Sequence, residues 1–220
     1  MKAPLSWLNK YVDISLSHQE LAHELTMAGI EVDSINIIGD KWENNLIIGN
    51  VEEIVQHPNA DRLRLATVTI GDGINKSVVC GANNLEVNQK IAFAEIGSNL
   101  FDVKLGEYRK LKPAKIRGVV SEGMICSELE LGIGVNHEGI LVLPMDAPIG
   151  GNLKKYLGDV ILDIEITPNR PDWLSVLGIA REIAAITNLP IKEPELVEHW
   201  IKIDLYQKLR NDAKGKEKFI

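Results

Sequence analysis

Few residues in this chain have the types and spacing that catalysis demands. The two cysteines, Cys80 and Cys126, are far apart and neither belongs to a Cys-x-x-Cys pair. A nucleophile at Cys126 would need His57 or His137 as its base. Cys126 instead sits in the plain run Gly123-Met124-Ile125-Cys126-Ser127, with no third group to orient that base. The five histidines are scattered without metal-ligand spacing, so no metal site is expected. Gly71-Asp72-Gly73 and Gly132-Ile133-Gly134 are isolated glycine pairs that match neither phosphate-loop pattern. No pair of carboxylates stands out from the acidic background. The sequence therefore shows no catalytic residue and no cofactor site.

The chemistry it does offer is ionic. Lys104, Arg109, Lys110, Lys112, Lys115 and Arg117 stand against one acid, Glu107, a balance of +5 in 14 residues. Such a stripe can hold a phosphate backbone at a chosen place; it can equally be the wet face of a hairpin. Lys112, Lys115 and Arg117 alternate, so on one strand Lys115 and Arg117 would share a face about 7 Å apart. Asn83 and Asn84 follow Val79-Cys80-Gly81, where amides could donate to phosphate or read a base edge, or simply tolerate a left-handed turn. Ser127 and Glu128 close the Gly-Met-Ile-Cys-Ser-Glu block near the same strand end. Aromatic residues are scarce, with only Phe93, Phe101 and Tyr108 in the later strands, which favours backbone and shape recognition over base reading. The candidate binding residues are thus Asn83, Asn84, Lys104, Lys112, Lys115, Arg117 and Ser127.

The elements that must position them are mostly strands. Strand-like runs occur at 46–56, 63–70, 76–81, 89–96, 114–120 and 139–143, separated by turn signals such as His57-Pro58-Asn59-Ala60-Asp61 and Asn136-His137-Glu138-Gly139. Five or six strands without a long intervening helix imply a small barrel over residues 40–150. Gly118 and Gly123 mark bulges or bends that let it close. The 57–61 loop reads as structural, with Asn59 and Asp61 bonding their own backbone, or Asp61 pairing with Arg62 or Arg64. Before the barrel, Ser17-His18-Gln19-Glu20 forms a capping box for a helix that Gly29 stops, and a short strand follows. After it come an apolar strand at 160–166, the corner Thr167-Pro168-Asn169-Arg170-Pro171-Asp172, and a helix from about Trp173 to Thr187 with Asp172 as N-cap. The fold class expected is α+β: a five-stranded barrel at 40–150 inserted into a small helix–strand domain of residues 1–39 plus 151–190. Residues 191–220 read as the start of another domain or a low-complexity tail.

Bulk properties restrict the partners. The net charge of −7, and −4 over residues 40–150, argue against indiscriminate polyanion or DNA binding and for a local contact. No apolar run approaches the roughly 18–20 residues of a membrane span. With no signal-peptide pattern, a cytoplasmic location is expected.

Four blocks carry a resemblance. They are Gln56-His57-Pro58-Asn59-Ala60-Asp61-Arg62-Leu63, Val79-Cys80-Gly81-Ala82-Asn83-Asn84, Lys115 to Leu131 (KIRGVVSEGMICSELEL), and Ile166-Thr167-Pro168-Asn169-Arg170-Pro171-Asp172-Trp173-Leu174-Ser175. The first three resemble the tRNA-binding OB-fold module found beside aminoacyl-tRNA synthetases. The fourth resembles the segment that follows this module in the bacterial phenylalanyl-tRNA synthetase beta subunit. The resemblance covers about residues 1–190, and a full beta subunit is several times longer. It implies a non-catalytic part of that ligase: a tRNA partner, an alpha subunit in an assembly of two alpha and two beta subunits, and ATP with magnesium consumed by the complex, with no cofactor held by this chain. The competing expectations are an assembly element with little RNA affinity, and a free-standing tRNA-binding chaperone-like protein.

Overall fold

A computed structural model describes residues 1–103 and 105–192. They divide into two compact units, residues 1–34 with 162–192, and residues 35–161. Lys104 and the segment 193–220 lie outside the described residues, and with them one expected binding residue and almost all of the expected tail.

The chain opens with strand β1 (Lys2–Pro4), a single turn α1 (Leu5–Leu8), helix α2 (His18–Met27) and strand β2 (Val32–Ile38). The expected capping box is present: Glu20 N–H donates to Ser17 Oγ at 3.3 Å, and Ser17 N–H donates back to Glu20 Oε2 at 2.9 Å. Gly29, with φ +93, follows the last turn and ends the helix.

The middle of the chain is almost entirely strand. It runs through β3 (Leu46–Gln56), β4 (Arg64–Thr69), β5 (Asn75–Cys80), β6 (Lys90–Glu95), β7 (Asn99–Asp102), β8 (Glu107–Lys110), β9 (Ala114–Ile116), β10 (Val119–Ser121), β11 (Gly123–Ile125), a turn of helix α3 (Glu128–Leu131), β12 (Val142–Leu143) and α4 (Leu153–Leu157). Five strands form an antiparallel path β11-β6-β3-β4-β5, with β12 added on β6. β3 is long enough to pair with β6 over Leu46–Asn50 and with β4 over Asn50–Gln56. A bulge between Val51 and Glu53 bends it between the two partners. The ends of the path then meet: Glu122 N–H donates to Ser77 O at 2.9 Å, and Val79 N–H to Ser121 Oγ at 3.1 Å. The result is a nearly closed antiparallel barrel of OB-like form. Four of the expected runs supply β3, β4, β5 and β6 of this six-stranded sheet, and the run at 139–143 contains β12; the run at 114–120 forms the separate hairpin β9–β10 instead, and β11 and the hairpin β7–β8 are strands that the sequence pattern did not distinguish.

The core explains the continuous apolar run at 89–96. Both faces of β6 are buried, so period-two alternation is lost. Ile91 and Phe93 pack with Val51, Val68, Val78 and Ile125. Ala92 and Ala94 face the other way, against Trp42, Leu46, Leu131 and Leu153. Trp42 completes that side by donating its indole N–H to Leu131 O at 2.8 Å.

The last segment comprises β13 (Asp159–Ile164), which lies between β1 and β2 in a three-stranded sheet, a 3₁₀ turn at Pro171–Leu174, and helix α5 (Val176–Thr187). The helix begins three residues later than expected. Ser175, not Asp172, caps it, taking the Gly178 N–H at 3.0 Å. Asp172 is instead occupied by Arg170, whose guanidinium donates to both its oxygens at 3.1 and 2.9 Å and to Glu182 at 2.9 Å. The same guanidinium lies 3.7 Å over the Trp173 ring. Pro171 and this bidentate pair favour the 3₁₀ turn over an immediate α-helix.

Candidate nucleic-acid interface

The basic residues all fall in one excursion, between β6 and β11, that leaves the barrel sheet and carries the two hairpins. In the first hairpin, Phe101 of β7 faces Tyr108 of β8, edge to face with ring centroids 5.4 Å apart. Arg109 and Lys110 on β8 are exposed but have acidic neighbours: Asp102 and Glu107 lie 4.0 and 3.9 Å from Arg109, and Glu43 lies 3.9 Å from Lys110. Beside this hairpin is a groove of about 510 Å³, walled by Leu100, Phe101, Leu111 and Met124 and edged by Arg109 and Lys112.

The second hairpin corrects the expected alternation. The run 114–120 is not one strand. Arg117 and Gly118 are the two-residue loop between β9 and β10, with Ile116 opposite Val119. Both have positive φ, +48 and +95, the type I′ pattern whose twist suits a two-residue hairpin. Lys112 precedes β9, Lys115 is on it, and Arg117 is at the tip, so the three do not share a strand face. All three are exposed, and no described carboxylate comes within ion-pair distance of any of them. Gly118 makes the hairpin turn rather than a barrel bend. Gly123 does lie in a barrel strand, where a Cβ would fall 2.3 Å from Phe93 Cζ.

The polar candidates are placed elsewhere, and the side chains of Asn84 and Ser127 are in use. Asn84 accepts the Ile140 N–H at 2.9 Å and donates to Ile140 O at 3.0 Å. It thereby staples the 83–84 turn to the segment before β12, and a Cβ at Gly139 would lie only 2.6 Å from its Oδ1. Ser127 is buried and caps α3: it accepts the Glu130 N–H at 3.3 Å and donates to Glu130 Oε2 at 2.9 Å. Both asparagines of the pair are exposed in their turn. Two of the four sequence blocks nonetheless converge here, with the 137–140 turn, around a hollow of about 230 Å³ lined by Cys80, Gly81, Ser127, Glu130, His137 and Gly139.

The cysteines behave as buried apolar groups. Burial pushes the Cys80 thiol up, and pushes Cys126 well up with help from the Glu130 carboxylate. A thiolate is thus disfavoured at both. Glu31, Asp33 and Glu165 form an exposed acidic cluster with no further sign of a metal.

Sequence reasoning missed the role of the 57–61 loop. It is not closed by its own Asn59 and Asp61. Gln56 closes it, donating to Ala60 O and Asp61 O at 3.1 and 3.0 Å. Asn59 reaches 58 residues along the chain to donate to Arg117 O at 3.0 Å, and His57 Nε2 lies 3.2 Å from Ile116 O. Arg64, a possible partner for Asp61, instead donates to Leu85 O at 3.0 Å and to Ala82 O. Only the presence of His57 and Asn59 in a helix-free loop hinted at contact-making; their partners could not be read from spacing.

Residues 46–152 match the family described as putative tRNA binding domain. Among curated proteins, the phenylalanine–tRNA ligase beta subunit of Dehalococcoides mccartyi is 50% identical over 84% of this chain and 23% of its own length. That of Fusobacterium nucleatum is 46% identical over 96% of this chain and 27% of its own, and that of Yersinia pestis 41% over 97% and 26%. The chain spans about a quarter of the length of these relatives. With a barrel that matches the tRNA-binding domain and 41–50% identity along most of its length, the chain belongs with the phenylalanine–tRNA ligase beta subunits, of which it corresponds to the N-terminal part.

Proposed function

We propose that this chain is the non-catalytic tRNA-binding region of a phenylalanine–tRNA ligase beta subunit, and that it supports ATP-dependent attachment of phenylalanine to tRNA by a complex with an alpha subunit. The carrying observation is that Lys112, Lys115 and Arg117 are exposed, unpaired by any described carboxylate, and confined to one excursion of a tRNA-binding-domain barrel. Cations with no described carboxylate beside them can take up a phosphate without first breaking an ion pair among the described residues. On this reading the assembly holds two alpha and two beta subunits in the cytoplasm, and ATP and magnesium act in the ligase rather than on this chain. Among the described residues, no helix is long and apolar enough to cross a membrane.

A second reading, an assembly element with little RNA affinity, draws support from Asn84 and Ser127, whose polar atoms are already taken up within the fold. Titrating tRNA into the chain at several salt concentrations separates the two. Binding that weakens with salt and with Lys112→Ala/Lys115→Ala/Arg117→Ala supports the RNA surface. No binding at low salt leaves the assembly element.

A further inference from the structure

The hairpin β9–β10 is poorly equipped to hold its own shape. It has three residues per strand, it forms a two-stranded sheet by itself, and Ala114, Lys115, Arg117, Gly118 and Val120 are exposed. An isolated hairpin of this kind is marginal in water. Its tip also places a non-glycine residue, Arg117, in the left-handed region, which must be maintained by surrounding structure.

Its base is tied to β5, where Ser121 Oγ accepts the Val79 N–H at 3.1 Å, and its tip is maintained by the 57–59 loop. His57 is only 3% exposed, and its imidazole spans two bonds. Asn59 N–H donates to Nδ1 at 3.1 Å, so Nδ1 carries no proton and Nε2–H is the donor toward Ile116 O at 3.2 Å. Asn59 then donates its side-chain amide to Arg117 O at 3.0 Å, and the same Nδ2 would sit 3.4 Å from a Cβ on Gly118. The loop therefore takes two successive carbonyls of the tip, those of Ile116 and Arg117, and packs against the third residue. His57 N–H is itself anchored to Leu63 O at 3.1 Å, at the entrance to β4. The tip is thus referred to the barrel sheet rather than to its own short strands.

We infer that His57 and Asn59 are positioning residues for RNA binding: they clasp the β9–β10 tip so that Lys115 and Arg117 are presented in one arrangement before RNA arrives. The inference rests on the RNA-surface reading above. Preorganised cations lose less conformational freedom on binding than cations on a fluctuating hairpin. The clasp also occupies the two tip carbonyls with protein N–H donors, so these acceptors do not face a polyanion bare.

The test is a double-mutant cycle read by tRNA binding, using the whole chain. Asn59→Ala removes the bond to Arg117 and leaves an exposed position that should fold normally. It is expected to weaken binding about three- to tenfold, in keeping with the loss of one hydrogen bond and its ordering effect. In a Lys115→Ala/Arg117→Ala background the same change is expected to add nothing, because no charge is left on the hairpin to position; Lys112 precedes it. His57→Gln, which keeps a donor that can reach Ile116 O, should fall between the wild type and His57→Ala. Equal loss from Asn59→Ala in both backgrounds would mean a general stability effect and overturn the clasp, as would no loss in either. If Lys115→Ala/Arg117→Ala itself leaves affinity unchanged, the RNA surface fails and the clasp fails with it. That outcome is distinct from one in which the basic pair matters and Asn59 does not.

Discussion

The sharpest prediction concerns the salt response of tRNA binding. The perturbation is Lys112→Ala/Lys115→Ala/Arg117→Ala. Each of these side chains is exposed and lacks a described acidic partner, so each can neutralise one phosphate. A phosphate contact contributes about 0.9 to the slope of log affinity against log salt on a duplex, and about 0.7 on a single strand. Three lost contacts should therefore flatten the slope by about 2 to 3. Between about 50 and 200 mM salt, the wild type should then lose roughly 20- to 50-fold more affinity than the triple variant. The control is Arg109→Ala/Lys110→Ala. These two cations lie 3.9–4.0 Å from Asp102, Glu107 and Glu43, and exposed pairs of this kind leave the charge partly neutralised already. Their removal should flatten the slope by less per residue. Fluorescence anisotropy of labelled tRNA at four or more salt concentrations measures both. An unchanged slope in the triple variant, or a larger change in the control, would refute the assignment of the surface.

Other consequences of the structure can be checked without RNA. Gly123→Ala should destabilise the barrel by about 1–3 kcal/mol, because its Cβ would meet Phe93 Cζ at 2.3 Å and Ala94 O at 2.6 Å. Adding Phe93→Leu should recover only part of the loss in urea unfolding, since the clash with backbone remains; full recovery would contradict this packing. Asn84→Ala should cost about 1–3 kcal/mol through its two lost bonds to Ile140, with the salt slope of tRNA binding unaltered; a changed slope would place Asn84 on the RNA. Acid should act on the capping and corner carboxylates. Glu20 is held below the usual range by the Ser17 hydroxyl and then by the Ser17 N–H, and Asp172 by hydrogen bonds from Arg170. Their folded values are depressed, so their stabilisation is complete above the ordinary carboxylate values near 4 and disappears as pH falls through the folded ones. Glu20→Gln/Asp172→Asn should therefore lose less thermal stability than the wild type between about pH 5 and pH 2, and an equal loss would count against both interactions.

Much of this molecule was determined locally and could be read residue by residue. The capping box at Ser17 and Glu20 needs only four consecutive residues, and it forms as written. The barrel strands β3 to β6 needed only apolar runs broken by Gly, Asn and Pro, whereas β11, three residues beside Phe93 and Ala94, carried no such run. The exposure of Lys112, Lys115 and Arg117 followed from the cost of burying unpaired charge. Where two local signals competed, the reading failed. Asp172 and Ser175 are both good caps, and the choice between them was made by Arg170, which Asp172 binds with both oxygens. Arg117-Gly118 could continue a strand or turn it; pairing of Ile116 with Val119 decided for the turn. Asn84 and Ser127 were chemically able to meet RNA, but Ile140 and Glu130 took their hydrogen bonds. The contact of His57 and Asn59 with a tip 58 and 59 residues away belongs wholly to the tertiary structure. A side chain's hydrogen-bonding capacity is a property of its residue type, but its partner is whatever donor or acceptor the closed barrel brings within 3 Å or so, and no spacing along the chain encodes that distance.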